Sequence, residues 1–111
     1  MEKIAHYQQI IKSVLNSYVS VLSSQSDEEV YLVEDPALLH YLVYHNAWRQ
    51  GSRSYGCLVH IRIKNDKVYV EYDGTDEAFA DVLTEAGIPR HEIVLAFHAP
   101  AKRPYTDFAV A

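Results

Sequence analysis

The sequence predicts an α+β fold: a long N-terminal helix packed on a mainly antiparallel sheet of four to five strands, plus a short second helix. Three observations carry that prediction. Residues 55–72 alternate apolar and polar side chains with a period of two, which marks strands with one face on a core. Residues 4–22 place apolar side chains at spacings of three and four, the period of an amphipathic helix. A second helical pattern stops on Gly87-Ile88-Pro89, where glycine supplies the left-handed position, isoleucine the capping contact and proline the break. At 111 residues the chain has the length of one domain, spanning 1–111.

The first helix rests on Ile4, Tyr7, Ile11, Val14, Tyr18 and Val21, with Ile10, Leu15 and Leu22 widening the stripe. The series is too short for a coiled coil, so the helix is expected to lie on the sheet. Ser23 to Asp27 reads as a polar linker. Glu29–Glu34 alternates, with Val30 and Leu32 against Tyr31 and Val33, and Leu38–Trp48 returns beside it, its strand spanning Tyr41–Trp48. Pro36 cannot donate to a ladder and belongs in the connection. Gly51 and the Ser and Arg residues around it turn the chain into Tyr55.

The strand Tyr55–Lys64 places Cys57, Val59, Ile61 and Ile63 on one side and Leu58, His60, Arg62 and Lys64 on the other. Asn65-Asp66 is a two-residue turn signal leading into Lys67–Tyr72. With that turn as centre, Ile63 faces Val68, Ile61 faces Val70 and Val59 faces Tyr72 on the apolar side. On the wet side Arg62 meets Tyr69 and His60 meets Glu71. Next, Thr75 reads as an N-cap with Asp76 and Glu77 in the first helical turn, followed by the face Phe79, Val82, Leu83 and Ala86. Ile93–Phe97 reads as a strand buried on both faces, and Tyr105–Ala111 as a short tail that docks.

A net charge of −5 disfavours broad adhesion to nucleic acid. The charge is uneven, however: Arg49, Arg53, Arg62, Lys64 and Lys67 against Asp66 give +4 between Arg49 and Lys67, leaving −9 on the remainder. The single Cys57 excludes an internal disulfide framework and a cysteine-rich metal site, and its side of the strand predicts a buried thiol. The charged, amphipathic start and the lack of a spanning apolar run predict a soluble cytoplasmic protein. The Tyr-rich composition and uneven charge predict a homo-oligomer, most simply a twofold dimer.

His40, His45, His60 and His98 lie on or beside predicted strands, with no metal-ligand spacing. No nucleophile elbow is present, and Gly51, Gly56, Gly74 and Gly87 are too scattered to cradle a phosphate. No cofactor or metal is implied. Functional contact is expected on the wet face of the hairpin, at His60, Arg62, Lys64, Tyr69 and Glu71 with Arg53 near one end, because the opposite face is needed for the core. Two rivals stand beside a protein-contact role. One is a nucleic-acid binder using the Arg49–Lys67 region, where Tyr55 and Tyr69 could stack bases; the other is a small enzyme using His60 or His98.

Taken in order, Trp48…Tyr55-Gly56-Cys57…His60-Ile61…Ile63-Lys64-Asn65…Lys67, Gly74-Thr75, Gly87-Ile88-Pro89, Ile93-Val94-Leu95-Ala96-Phe97-His98, Pro100 and Arg103…Thr106…Phe108-Ala109-Val110 resemble the XisI family. The opening Met1–Ile11 is similar too, so the resemblance runs over essentially the full length. Ala96 departs from a pattern that favours glycine there. The family comprises fdxN-element excision controlling factors of cyanobacteria. The resemblance implies a non-enzymatic accessory factor working with an endonuclease-fold partner, XisH, and a separate recombinase in excising a DNA element. It carries over no catalytic or ligand residue.

Overall fold

A computed structural model describes residues 2–25 and 27–111. The chain forms helix α1 (Glu2–Gln25) and strands β1 (Glu29–Asp35), β2 (His40–Arg49), β3 (Ser52–Lys64) and β4 (Lys67–Asp73). Helix α2 (Phe79–Glu85) and strand β5 (Ile93–Leu95) follow. The sheet order is β1-β2-β3-β4-β5, antiparallel throughout except that β5 runs parallel to β4. Both helices lie on one face, burying Tyr7, Ile11 and Leu15 of α1 and Phe79 and Leu83 of α2 against Val43, Val59, Ile61 and Val70 of the sheet. The expected α+β architecture is thus present.

Helix α1 extends to Gln25, three residues past the apolar stripe and into the segment expected as a linker, whose Ser26 lies outside the described residues. Its buried line is Tyr7, Ile11 and Leu15, at helical spacing of four, so Val21 falls on the far edge and is exposed. The N-terminal end is tied to the chain's last third. The Tyr7 hydroxyl donates to Glu92, and Lys3 Nζ lies 2.8 Å from the same carboxylate. Burial, reinforced by that carboxylate, pushes the Tyr7 phenol up to about 12.

Two tight hairpin turns set the length of β3. Gln50 and Gly51 (φ 52° and 80°) and Asn65 and Asp66 (φ 53° and 62°) are left-handed pairs of the kind whose twist matches that of paired strands. Because the first turn needs only its two central residues, Ser52–Ser54 pair with Ala47–Arg49, and β3 begins three residues before the expected Tyr55. The Asn65-Asp66 register holds at Ile63–Val68, Arg62–Tyr69 and Ile61–Val70. There a β-bulge at Glu71 shifts it: His60 pairs with Tyr72, not Glu71, and Val59 with Asp73, not Tyr72.

A second bulge lies between β2 and β3. Val43 pairs with Val59 and Tyr44 with Cys57, leaving Leu58 as the extra residue. The alternation therefore changes phase at Leu58, which packs towards the core beside Val59. Cys57 is consequently on the helix-free face, half-buried, and not on the core side as the unbroken alternation predicts. Its Sγ donates to the Val59 carbonyl at 3.2 Å, and burial pushes the thiol up, against reactivity.

Thr75 does not cap α2. The Asp73 carboxylate accepts from the Thr75 backbone N–H, the Thr75 hydroxyl and the Phe79 N–H (3.0, 2.7 and 2.8 Å). The loop is thereby closed on itself and the helix starts at Phe79, leaving Asp76 and Glu77 outside it. The helix stop is as expected. Gly87 has φ 122°, its N–H bonds to the Thr84 carbonyl, and the Ile88 N–H bonds to the Leu83 carbonyl. A Cβ on Gly87 would meet only Ile10 Cδ1 at 3.6 Å, so space is not the constraint; the backbone angle is. Gly87→Ala is expected to destabilise the fold by about 1 kcal/mol, read as a lower urea midpoint at unchanged slope. An unchanged midpoint would mean that the helix end relaxes at no cost.

Strand β5 is three residues long, shorter than the expected Ile93–Phe97 run, and the chain turns after Leu95 so that Phe97 is exposed. The C-terminal segment docks in part. The Ala109 N–H donates to the Ile93 carbonyl at 2.8 Å, Phe108 packs on the core, and the Arg103 guanidinium bonds the carbonyls of Ala96, His98 and Val110. Tyr105, at the start of the expected tail, stands in solvent.

Candidate partner-contact site

The face of the sheet away from both helices carries side chains in cross-strand rows fixed by the registers above. One row is Trp48 and Arg53; the next is Glu29, Asn46 and Tyr55; then come Tyr31, Tyr44 and Cys57. Val33, Leu42, His60 and Tyr72 follow, and the last row is Asp35, His40, Arg62 and Tyr69. The Leu58 bulge puts Arg53 and Tyr55 here. Strict alternation from Ile63 would have turned them into the core.

At the Trp48 end the rows form a pre-built array. Tyr31 stacks on Tyr44 (centroids 6.4 Å apart, 20° between planes), and Tyr44 meets Tyr55 at 5.8 Å. The Arg53 guanidinium sits 4.6 Å from the centre of the Tyr55 ring, and its Nε donates to Asn46 Oδ1 at 2.8 Å. Asn46 Nδ2 in turn donates to Glu29 Oε1 at 3.2 Å. Trp48 and Tyr55 are 67% and 56% exposed despite their size. Large rings held by neighbours lose little freedom on contact, which suits them as binding anchors.

The other expected contact residues lie at the far end of β3. Arg53 is nine residues from Arg62 along that strand, roughly 30 Å at strand rise, so the structure does not bring it together with His60, Arg62, Lys64, Tyr69 and Glu71. Those five do cluster. Arg62 Nη1 lies 3.9 Å from Glu71 Oε2 in a loose ion pair, and Lys64 Nζ lies 5.9 Å from the Tyr69 ring centre. Tyr69 itself is only 9% exposed, which removes it as an anchor for another molecule.

His60 meets His40, which sequence reasoning did not pair with it: His40 Nδ1 and His60 Nε2 are 2.8 Å apart. One nitrogen donates and the other accepts, so at least one ring must be neutral. Burial, then the neighbouring His40 and the Arg62 charge, pull the His60 pKa down, with Glu71 opposing. An unfolded chain takes up that proton near 6.5, the folded chain only at lower pH. The contribution of His60 to stability is therefore complete above about pH 6.5 and is lost as pH falls from there through the lower folded-state value. The melting temperature is expected to fall from about pH 7 to about pH 5, and less steeply in His60→Gln. Equal slopes in the two proteins would rule His60 out as the cause.

Neither the groove between α1 and α2 nor the smaller one lined by His6, Ile10 and Ala86 is lined by His60 or His98, and His98 packs on Phe97 at 4.7 Å. Among the described residues no group of three His, Cys, Asp or Glu is placed to hold a metal ion. The basic residues of the Arg49–Lys67 region are spread along the whole of β3 and its two turns instead of forming one patch. Among the described residues no helix is long and apolar enough to cross a membrane.

What sequence reasoning missed is the contribution of β1 and β2 to this face: Tyr31, Tyr44, Asn46 and the position of Trp48. The signal was the pair of tyrosines at Tyr31 and Tyr44, but it needed the β1–β2 register to be seen.

Comparison with known proteins places this geometry. The profile of the XisI protein family matches residues 1–110. The crystal structure of a XisI-like protein from Anabaena variabilis is 38% identical, with a TM-score of 0.89, over 97% of this chain and 99% of that one. The fdxN element excision controlling factor XisI of Anabaena variabilis is 33% identical, with a TM-score of 0.83, over 98% and 99%. Among curated protein sequences none matches. With a family match from end to end and the same fold at this identity, the chain belongs to the XisI family.

Proposed function

We propose that this protein is a non-enzymatic controlling factor that acts through protein–protein contact with an endonuclease-fold partner of the XisH kind in DNA-element excision. The observation that supports this reading best is the open sheet face, with its Tyr31–Tyr44–Tyr55 array, the stacked Arg53 and the exposed Trp48. Aromatic and Arg side chains fixed on strands are the usual anchors of specific interfaces. The solved relative named as an excision controlling factor supports the process.

The test is capture of this chain by a tagged XisH-family protein from the same genome. Wild-type protein is expected to co-purify, and a Trp48→Ala/Tyr55→Ala variant with a wild-type melting curve is expected not to. Equal capture of both proteins would remove this face from the contact. Salt-sensitive DNA binding by the isolated chain, without capture, would overturn the reading in favour of direct nucleic-acid recognition.

A further inference from the structure

A second surface lies on the helical side. Between the C-terminal half of α1 and α2 runs an open groove of about 570 Å³. Its walls include Val14, Tyr18, Val21 and Leu22 from α1 and Phe79 and Val82 from α2. Tyr18 stands edge-on to Phe79 at 5.1 Å and 89°, which fixes the floor. Val21 is 51% exposed, so one apolar ridge of the groove is in water. Two helices side by side with apolar ridges are the shape into which a third helix packs.

The charge around this groove decides what kind of helix it takes. The segments that build it, residues 13–28 and 73–87, contain Asp27, Glu28, Asp73, Asp76, Glu77, Asp81 and Glu85, and no Lys, Arg or His; of these, Glu28 lies 3.5 Å from His45 and Asp81 3.4 Å from Arg90. These seven acids more than account for the chain's net charge of −5, leaving +2 on the rest of the molecule. Glu77, Asp73, Glu28 and Asp76 all act on the Tyr18 hydroxyl inside the groove, pushing its pKa up after burial has done so. The last turn of α1 has no basic residue, so its carbonyl end adds negative potential at the same place. Among the described residues, the Asp76 and Glu77 side chains make no ion pair.

We infer that the α1–α2 groove docks a basic amphipathic helix of a partner protein, its apolar face on Val14, Val21 and Val82 and its Lys or Arg residues towards Asp76 and Glu77. This surface is separate from the aromatic sheet face, so the two could be occupied together.

The probe is a fluorescent amphipathic peptide of about 18 residues, long enough to form a helix, with Leu at i, i+3, i+4 and i+7 and Lys elsewhere. A scrambled peptide of the same composition is the control, and binding to the full chain is read by anisotropy. The patterned peptide is expected to bind more tightly than the scrambled one, and more weakly as salt rises. Asp76→Lys/Glu77→Lys is expected to weaken binding at least ~tenfold, and Val21→Ser severalfold; both alter exposed positions, and melting curves check that the fold is kept. Equal affinity for the two peptides overturns the inference, because charge alone would then be the cause. So does an affinity that neither variant changes, or no binding at all. Should Val21→Ser convert a dimer of this chain to monomer in light scattering, the occupant is a second copy and the inference fails.

Discussion

Replacing Phe79 by Ala is expected to cost about 3–5 kcal/mol, the largest effect of any single truncation considered for this chain. Its ring is 2% exposed and joins three parts of the fold: the core under the sheet, the edge of Tyr18 on α1, and the first turn of α2. Its backbone N–H donates to the Asp73 carboxylate that closes the preceding loop, and that bond survives the truncation. The loss is therefore one of packing, a cavity bordered by two helices that cannot both move inwards. Domains of this size are stable by roughly 5–15 kcal/mol, so the variant stands close to the unfolding threshold. Urea denaturation checks it: the midpoint should drop sharply at unchanged slope. A loss below about 1 kcal/mol would mean that α1 and α2 collapse together without cost.

Tyr55→Ala is expected to act on binding and not on folding. A buried interface anchor costs at least ~2 kcal/mol on truncation, about thirtyfold in affinity. Tyr55 is more than half exposed in the isolated chain, so removing it leaves no cavity. The truncation also releases Arg53, whose guanidinium rests on the Tyr55 ring while Asn46 holds its Nε. Titration calorimetry against the proposed XisH-family partner measures the loss directly. A thirtyfold loss with an unchanged melting curve supports contact through this face. Unchanged affinity places the contact elsewhere, and a melting temperature several degrees lower makes Tyr55 a structural residue.

Most of the architecture was legible because it rests on patterns that tolerate no alternative. The α1 stripe, the Asn65-Asp66 turn and the Gly87-Ile88-Pro89 stop each have one physical reading, and each stands where the sequence places it. The errors have a common cause: one extra or one diverted residue whose identity fits either outcome. Cys57 and Leu58 are both apolar, so an alternation that breaks between them looks unbroken. Glu71 and Tyr72 are both at home on a wet face, so a bulge there leaves no trace in the pattern. Thr75-Asp76-Glu77 is a good helix start, but Asp73 captured Thr75 and Phe79 first. Of the expected contact residues, His60, Arg62, Lys64, Tyr69 and Glu71 were read on the helix-free face from β3 and β4 alone. The aromatic array was hidden because it is assembled from three strands, and its lattice exists only once both registers are known.

The bulge at Leu58 makes strand β3 a text read in two frames. Upstream of it, residues 52–57 are read in one phase and downstream, residues 59–64, in the other. Were Leu58 to take a regular place in the ladder instead of a bulge, the upstream half would shift by one step. Arg53, Tyr55 and Cys57 would point under the helices, and Ser52, Ser54 and Gly56 would take their places outside. Every residue of the aromatic surface would still be present in the chain, and the surface would be gone. What this face displays is therefore governed by the register of one strand as strictly as by the kind of its residues, so the choice between bulged and regular pairing there is a choice of surface.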